Sequence, residues 1–250
     1  MTPWPYPRWI AHRGAGKLAP ENTLAAFRLG AAHGYRGFEC DVKLSADGVP
    51  FLLHDSELER TSNGRGVAGQ QPWAALSRLD AGSWHSRSHA GEPLATLAGI
   101  ATYCRRNGHA LNIEVKPTPG IEFETGRVVA THAGKLWSAD ALPPLLSSFQ
   151  PAALEGARAG APDLPRALLR DSLDDGWLEH ALSLGCVAVV AKHTLFDADV
   201  LARIHAAGLR GLAYTVNEVE AARALLALGL DGLITDAVDR FSPQRDDAAG

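Results

Sequence analysis

The chain has few cysteines, no bilayer-length apolar run and no strong excess of one charge, and each shortage narrows what it does. Its three cysteines, Cys40, Cys104 and Cys186, are widely spaced and odd in number, with no CxxC pair. That argues against a disulfide framework or a cysteine-rich zinc centre and for a reducing compartment. Met1 to Arg8 carry three prolines and no apolar core of a signal peptide. Nowhere does an apolar run approach the roughly 20 residues that cross a bilayer. These absences predict a cytoplasmic protein with no membrane insertion. The net charge is only -4, so no global basic field recruits nucleic acid, and an anionic ligand has to be held by a few local cations. Long internal repeats and low-complexity tracts are missing as well.

What is present suits a single domain over 1–250: 250 residues, 46% hydrophobic and 21% charged, enough to bury one sizeable core. Short apolar runs at 9–12, 37–42, 110–115, 145–149, 166–169, 187–191, 211–216 and 232–235 read as strands. Amphipathic stretches at 23–33, 197–207 and 218–228 lie between several of them, each followed by a glycine (Gly34, Gly208, Gly229) in the manner of helix C-caps. Eight strands alternating with helices predict an α/β fold, a (β/α)8 TIM barrel rather than a doubly wound open sheet. One segment breaks the rhythm. Ser45-Ala46-Asp47-Gly48 is a hairpin turn, and 49–53 is an extra strand that returns His54 opposite Glu39 or Asp41. About 55–93 lacks a period and reads as a small insertion over one barrel end, with a helix at 73–79. The tail from 242 to 250 is expected to fray.

Glu39 and Asp41 share one face of the second strand, and Asn112, Glu114 and Lys116 repeat that spacing on a later one. Carboxylates at strand ends are costly to bury unless they share a cation, so Glu39, Asp41 and Glu114 suit magnesium, calcium or manganese. A salt-bridge network with Arg13, Lys43 or Lys116 is the plainer alternative. His12-Arg13-Gly14 closes the first strand at the same rim. His12 and His54 offer a base and an acid for a phosphorus centre, Arg13 grips two oxygens, and Lys116 adds a point charge. Gly14 is expected to let the backbone approach a ligand. In Pro20-Glu21-Asn22-Thr23, Thr23 or Asn22 caps a helix, while Glu21 and Asn22 are candidates to orient the histidine or the phosphate. His85 and His89 have ligand-like spacing but sit in a polar loop. His33, His109, His132, His180 and His205 read as capping or solvated groups. Lys192 and His193 follow a strand end as supporting or exposed residues, and Cys40 reads as a small buried hydrophobe.

These motifs, together with Asp47-Gly48, His54-Asp55, Glu114-Val115-Lys116, Ser148-Phe149, Tyr214-Thr215-Val216-Asn217 and Thr235-Asp236, resemble the ordered series of the glycerophosphodiester phosphodiesterases. The resemblance runs from residue 9 to about 240. The segment from Leu58 through Gly64 and Asp80-Ala81-Gly82-Ser83-Trp84 resembles the small insertion of bacterial cytosolic members. It implies a (β/α)8 barrel with one divalent cation (Mg2+, Ca2+ or Mn2+) on Glu39, Asp41 and Glu114. It also implies His12 and His54 as the acid–base pair, Arg13 and Lys116 on the phosphate, and Phe149 and Tyr214 beside the substrate. Tyr214 stands where many relatives have tryptophan, and Ala237 where proline is frequent. The implied partner is a small glycerophosphodiester, cleaved to sn-glycerol 3-phosphate and an alcohol; a homodimer is compatible with this reading. Two rivals are a phospholipase-type phosphodiesterase with a cyclic phosphate intermediate and a non-catalytic glycerophosphodiester-binding protein.

Overall fold

The computed structural model describes residues 3–138 and 142–243. The tail expected to fray falls almost wholly outside them. The chain begins β1 (Trp9–Ala11), α1 (Leu24–Ala32), β2 (Gly37–Leu44), β3 (Pro50–Leu52), α2 (Trp73–Leu76) and α3 (Leu97–Arg106). It continues β4 (Ala110–Val115), α4 (Glu122–Leu136), β5 (Leu145–Ser148), α5 (Pro151–Gly160), β6 (Arg166–Arg170) and α6 (Trp177–Ser183). The last elements are β7 (Ala188–Lys192), α7 (Ala198–Ala206), β8 (Arg210–Tyr214), α8 (Val219–Ala227) and β9 (Gly232–Thr235).

Eight of the strands are parallel, running β1-β9-β8-β7-β6-β5-β4-β2, and β1 pairs with β2 to close the ring. With helices between the strands, this is a (β/α)8 barrel. Period-two alternation sorts each strand into an inward and an outward set. Ile10, Leu145, Ala167, Leu169, Ala188, Val190, Leu212 and Ile234 fill the interior. Phe38, Cys40, Val42, Ile113 and Val115 face the helical layer instead. Trp4 and Tyr6 pack across the strand starts beside Gly37, Ala110 and Leu145, which plugs the N-terminal end. Helix starts are fixed by short polar side chains: Thr23 accepts from Ala26 N at 3.3 Å and Asp197 from Val200 N at 2.8 Å, satisfying amides that the helices leave open.

β3 pairs antiparallel with β2 through Val42↔Leu52, Lys43↔Phe51 and Leu44↔Pro50. The connection is three residues long, closed by Ser45 N donating to Val49 O at 3.0 Å with Gly48 at φ 79°. A two-residue turn at Asp47-Gly48 would pair His54 with Asp41; the extra residue shifts the register by one. Leu53 N bonds Asp41 O at 3.1 Å, which puts His54 level with Cys40, whose face is outward. A bend beginning at His54, just past the strand, turns its side chain back to the rim. The 55–93 segment builds a satellite core with β3 from Phe51, Leu53, Leu58, Ala68, Leu76, Ala81 and Leu94. The helix read at 73–79 is a single turn, Trp73–Leu76, because Leu76 alone of it is buried and no side chain caps it. Trp73 N donates to Asp47 Oδ1 at 2.8 Å and so ties this segment to the hairpin.

Candidate active site

The β2–β4 register pairs Glu39 with Asn112 and Asp41 with Glu114, so three carboxylates meet at the C-terminal rim. One oxygen from each of Glu39, Asp41 and Glu114 lies within 4.8 Å of the others. All three residues are buried, and Glu39 Oε1 and Asp41 Oδ1 accept no hydrogen bond. Burial, then the charges of Asp41 and Glu114, pushes Glu39 well above the usual carboxylate range. Burial and Asp41 likewise raise Glu114 to about 7, against the pull of Lys116. Burial opposes ionisation of Asp41 too, but Arg13, Lys116, His54 and the amide of Asn22 outweigh it and hold this carboxyl below its ordinary value. Buried oxygens without donors, in an all-oxygen set, fit a hard divalent cation.

Each histidine is held by a carboxylate on its Nδ1. His12 lies 2.6 Å from Asp236 Oδ1, and Asn217 steadies Asp236 with a side-chain bond to Oδ2 (3.2 Å) and by accepting from its backbone N (2.9 Å). His54 Nδ1 lies 2.7 Å from Asp55 Oδ1. Engaging Nδ1 leaves Nε2 of both rings for the cavity, and His12 Nε2 is 3.8 Å from Glu39 Oε2. Burial pushes the His54 imidazole below its ordinary value, partly countered by Asp41. Arg60, foremost, and then the His54 hydrogen bond hold Asp55 far below the usual carboxylate range despite partial burial.

Arg13 occupies the left-handed region at φ 53°. Its backbone N donates to Glu39 Oε2 at 3.0 Å, its Nη1 donates to Glu21 Oε1 at 2.8 Å, and Nε lies 3.2 Å from Asp41 Oδ2. Lys116 Nζ stands 2.9 Å from Glu114 Oε1 and 3.8 Å from Asp41 Oδ1. Gly14 packs against α1: at φ 98°, a Cβ there would stand 2.8 Å from Ala26 Cβ and from Phe27 N. Asn22 orients Asp41, donating to Oδ2 at 2.8 Å and accepting from Asp41 N at 3.1 Å. Glu21 holds the Arg13 guanidinium through its bond with Nη1.

Sequence reasoning missed Arg60. Its guanidinium donates to Asp55 Oδ2 at 2.5 Å and Oδ1 at 3.1 Å, and to both Glu21 oxygens at 2.8 Å. One side chain from the 55–93 segment thus braces the partner of His54 and the partner of Arg13. Leu58-Glu59-Arg60-Thr61 was visible as a motif, but nothing in its spacing reveals the clip. The sequence reading assigns no role to Asp55 or Asp236 either; adjacency to His54 is the only cue for Asp55.

His12, Arg13, Glu39, His54, Glu114 and Lys116 open onto one cavity of about 320 Å³. Phe149 and Tyr214 wall it, their rings edge to face at 5.8 Å, and Tyr214 donates from its hydroxyl to Arg170 O at 3.1 Å. Asn112, Leu169 and Ile234 belong to its floor, the level below the rim on their strands. Asp171 and Thr215 line it as well, whereas the remaining candidate residues lie elsewhere. His85 meets Lys17 O at 3.1 Å and His89 meets Ser86 Oγ at 2.9 Å, His205 meets Asp231 Oδ2 at 2.8 Å, and Lys192 and His193 do not line the cavity. Cys40 is fully buried with its thiol pKa raised by that burial.

The sequence model of the glycerophosphoryl diester phosphodiesterase family matches residues 12–240. YhdW of Bacillus subtilis is 33% identical over 236 residues, covering 92% of this chain and 94% of its own. A glycerophosphodiester phosphodiesterase of Caldanaerobacter subterraneus is 30% identical over 232 residues, covering 91% and 93%. Among solved structures, an Oleispira antarctica phosphodiesterase in complex with the product sn-glycerol-3-phosphate superimposes with a TM-score of 0.88 at 34% identity, covering 98% of this chain and 97% of that one.

Proposed function

The chain belongs to the glycerophosphoryl diester phosphodiesterase family, and from that premise we propose that it hydrolyses glycerophosphodiesters to sn-glycerol 3-phosphate and the free alcohol. The observation that carries this reading is the convergence on one cavity of two carboxylate-backed histidines and two cations around a buried carboxylate triad. The Oleispira antarctica relative with sn-glycerol-3-phosphate supports the product.

Glu39, Asp41 and Glu114 would hold one divalent cation, for which magnesium or calcium, and also manganese, suit the oxygen donors. When bound, it supplies positive charge that polarises the phosphate. Arg13, its guanidinium aimed by Glu21, grips phosphate oxygens in a planar fork, and Lys116 opposes the negative charge that grows on them. One of His12 and His54 takes the proton of the attacking hydroxyl through its free Nε2; the hydroxyl is that of water, or the substrate's own, in which case water then opens the cyclic phosphate to give sn-glycerol 3-phosphate. The other gives a proton to the departing alkoxide. Asp236 and Asp55 set the tautomers that make these transfers possible. Phe149 and Tyr214 offer ring surface to the glycerol carbons. In our reading 1–250 works as one domain, with 55–93 bracing the rim through Arg60. We place the reaction in the cytoplasm, a reading supported by three free, buried cysteines. No helix among the described residues is long and apolar enough to cross a membrane.

The test is coupled detection of glycerol 3-phosphate from glycerol, ethanolamine and choline diesters, using chelator-stripped protein with magnesium, calcium or manganese restored. Turnover that needs the ion, and that disappears in His12→Ala and His54→Ala proteins of unchanged melting temperature, is the expected result. Near-wild-type rates in either variant would sink the assignment. A persistent cyclic phosphate in phosphorus NMR of early products would point to phospholipase-type chemistry instead.

A further inference from the structure

A second cavity, of about 360 Å³, adjoins the first across a shared wall of His54, Glu114, Lys116 and Phe149. Beyond that wall it runs between Lys43, Ser56, Glu122 and Gln150. His12, Arg13, Glu39 and Tyr214 line only the first cavity. A diester whose phosphorus sits at the shared wall therefore has its two substituents in different chambers. The first chamber holds Arg13, both histidines and the aromatic wall, which suits the phosphate and the glycerol half. We propose that the second chamber is the subsite for the leaving alcohol, and that it favours neutral polyhydroxylated alcohols over quaternary ammonium alcohols. This rests on the reaction proposed above.

The chemistry of the chamber walls carries the selectivity. Lys43 is buried (2% exposed) and its ammonium donates to Lys116 O at 3.2 Å, while an ammonium carries three donors. Glu122 accepts from Gly120 N through Oε1, which leaves Oε2 for a ligand. The Gln150 amide and the Ser56 hydroxyl make no hydrogen bond among the described residues. The chamber thus offers both donors and acceptors, and a polyol hydroxyl needs one of each. A quaternary ammonium needs an aromatic face or an uncompensated carboxylate. The one aromatic ring here, Phe149, already has Lys116 Nζ 5.6 Å from its centroid. Glu114 is paired with Lys116, and Asp55 with His54 and Arg60, so among the described residues Glu122 is the one carboxylate of the chamber without a cationic partner, set against two ammonium groups. Lys43 and Lys116 set two positive charges beside whatever enters.

Three substrates separate the possibilities: glycerophosphoglycerol, glycerophosphocholine and the methyl ester of sn-glycerol 3-phosphate, whose alcohol is too small to fill the chamber. Wild-type kcat/KM should be about tenfold higher for the glycerol than for the choline diester, the scale of one or two hydrogen bonds. Gln150→Leu should erase most of that preference. Ser56→Trp, which fills the chamber, should slow glycerophosphoglycerol by at least about tenfold. Both variants should hydrolyse the methyl ester at close to the wild-type rate. Equal or better wild-type turnover of the choline diester would overturn the selectivity, and equal slowing of all three substrates by both variants would overturn the subsite. Failure of the wild-type protein to cleave even the methyl ester would instead overturn the reaction itself, and the subsite with it.

Discussion

In chelator-stripped protein titrated with magnesium at about pH 6 and about pH 8, the ion has to displace protons from the oxygens it binds. Glu114 titrates at about 7. It is therefore roughly nine-tenths protonated at the lower pH and nine-tenths ionised at the higher, which alone makes the affinity about tenfold tighter at pH 8. Glu39, also raised by burial and its carboxylate neighbours, steepens the dependence. Asp41, held low by Arg13 and Lys116 over the opposing effect of burial, adds nothing. Stability moves with the same groups. Folding raises Glu114 from 4.5 to about 7, so the folded metal-free protein binds that proton more tightly than the unfolded chain. The resulting stabilisation is complete below the unfolded value and is lost as pH climbs through 7. Its size is about 3 kcal/mol, a fall of roughly 6–12 °C in melting temperature for a chain of this length. Bound magnesium should cancel that fall. Calorimetric titration in two buffers of different ionisation heat counts the protons released, and thermal melts with and without ion give the rest. Affinity independent of pH, with no proton release, would refute the argument that these carboxylates form one cation site.

Arg60→Ala should lower kcat about ten- to a hundredfold while the protein stays folded, and Arg60→Lys should recover little because an ammonium cannot make two forked pairs at once; a change confined to KM would contradict the clip. Asp236→Asn removes the acceptor that fixes the His12 tautomer, and steady-state assays should find kcat reduced by about a thousandfold or more, as in carboxylate–histidine pairs generally, with the pH–rate profile displaced. Gly126→Ala and Gly156→Ala should each destabilise the chain without touching the site, because the added Cβ would lie 1.9 Å from Ala153 O and from Phe123 O respectively at the α4–α5 contact. Backbone cannot yield as a side chain does, so a loss of about 2–3 kcal/mol, or roughly 5–10 °C in melting temperature, is expected in thermal melts.

The barrel was legible because its strands obey a local rule. Apolar runs of barrel-strand length, spaced by amphipathic helices, require no knowledge of distant partners, and β4 and β9 begin and end where the runs do. The same rule placed Glu39, Asp41, Glu114 and Lys116 on inward positions at strand ends. Long-range pairing was not legible. Asp236 meets His12 only because the ring closes β9 against β1, and no local signal couples residues so far apart. Nor does any period exist in 55–93 from which the reach of Arg60 to Glu21 follows. The His54 register failed for a smaller reason, since a turn of two residues and one of three look alike around Asp47-Gly48. The bend after β3 then restored the side chain to the rim that the register alone would have denied it.

Charge explains why these groups belong together. Glu39, Asp41 and Glu114, fully ionised, face Arg13 and Lys116, which leaves one net negative charge in a mostly buried space. The raised carboxyls of Glu39 and Glu114 are the protein's answer to that surplus when protons are the only cations at hand. A divalent ion held by the three carboxylates would reverse the sign to one net positive charge, the complement of a phosphodiester carrying one negative charge. Arg13 and Lys116 alone would not achieve this, because each is already committed to a carboxylate at 3.2 Å or less. Outside this group, Asp55 and Asp236 add negative charge only where a histidine must carry a proton, and Arg60, bonded to both Asp55 and Glu21, offsets one of their two charges. At a pH where Glu39 and Glu114 are ionised, a divalent ion in this site would therefore favour binding of the anion. Substrate affinity should accordingly fall when any one of Glu39, Asp41 or Glu114 is made neutral, although each such change removes a negative charge from the path of an anion.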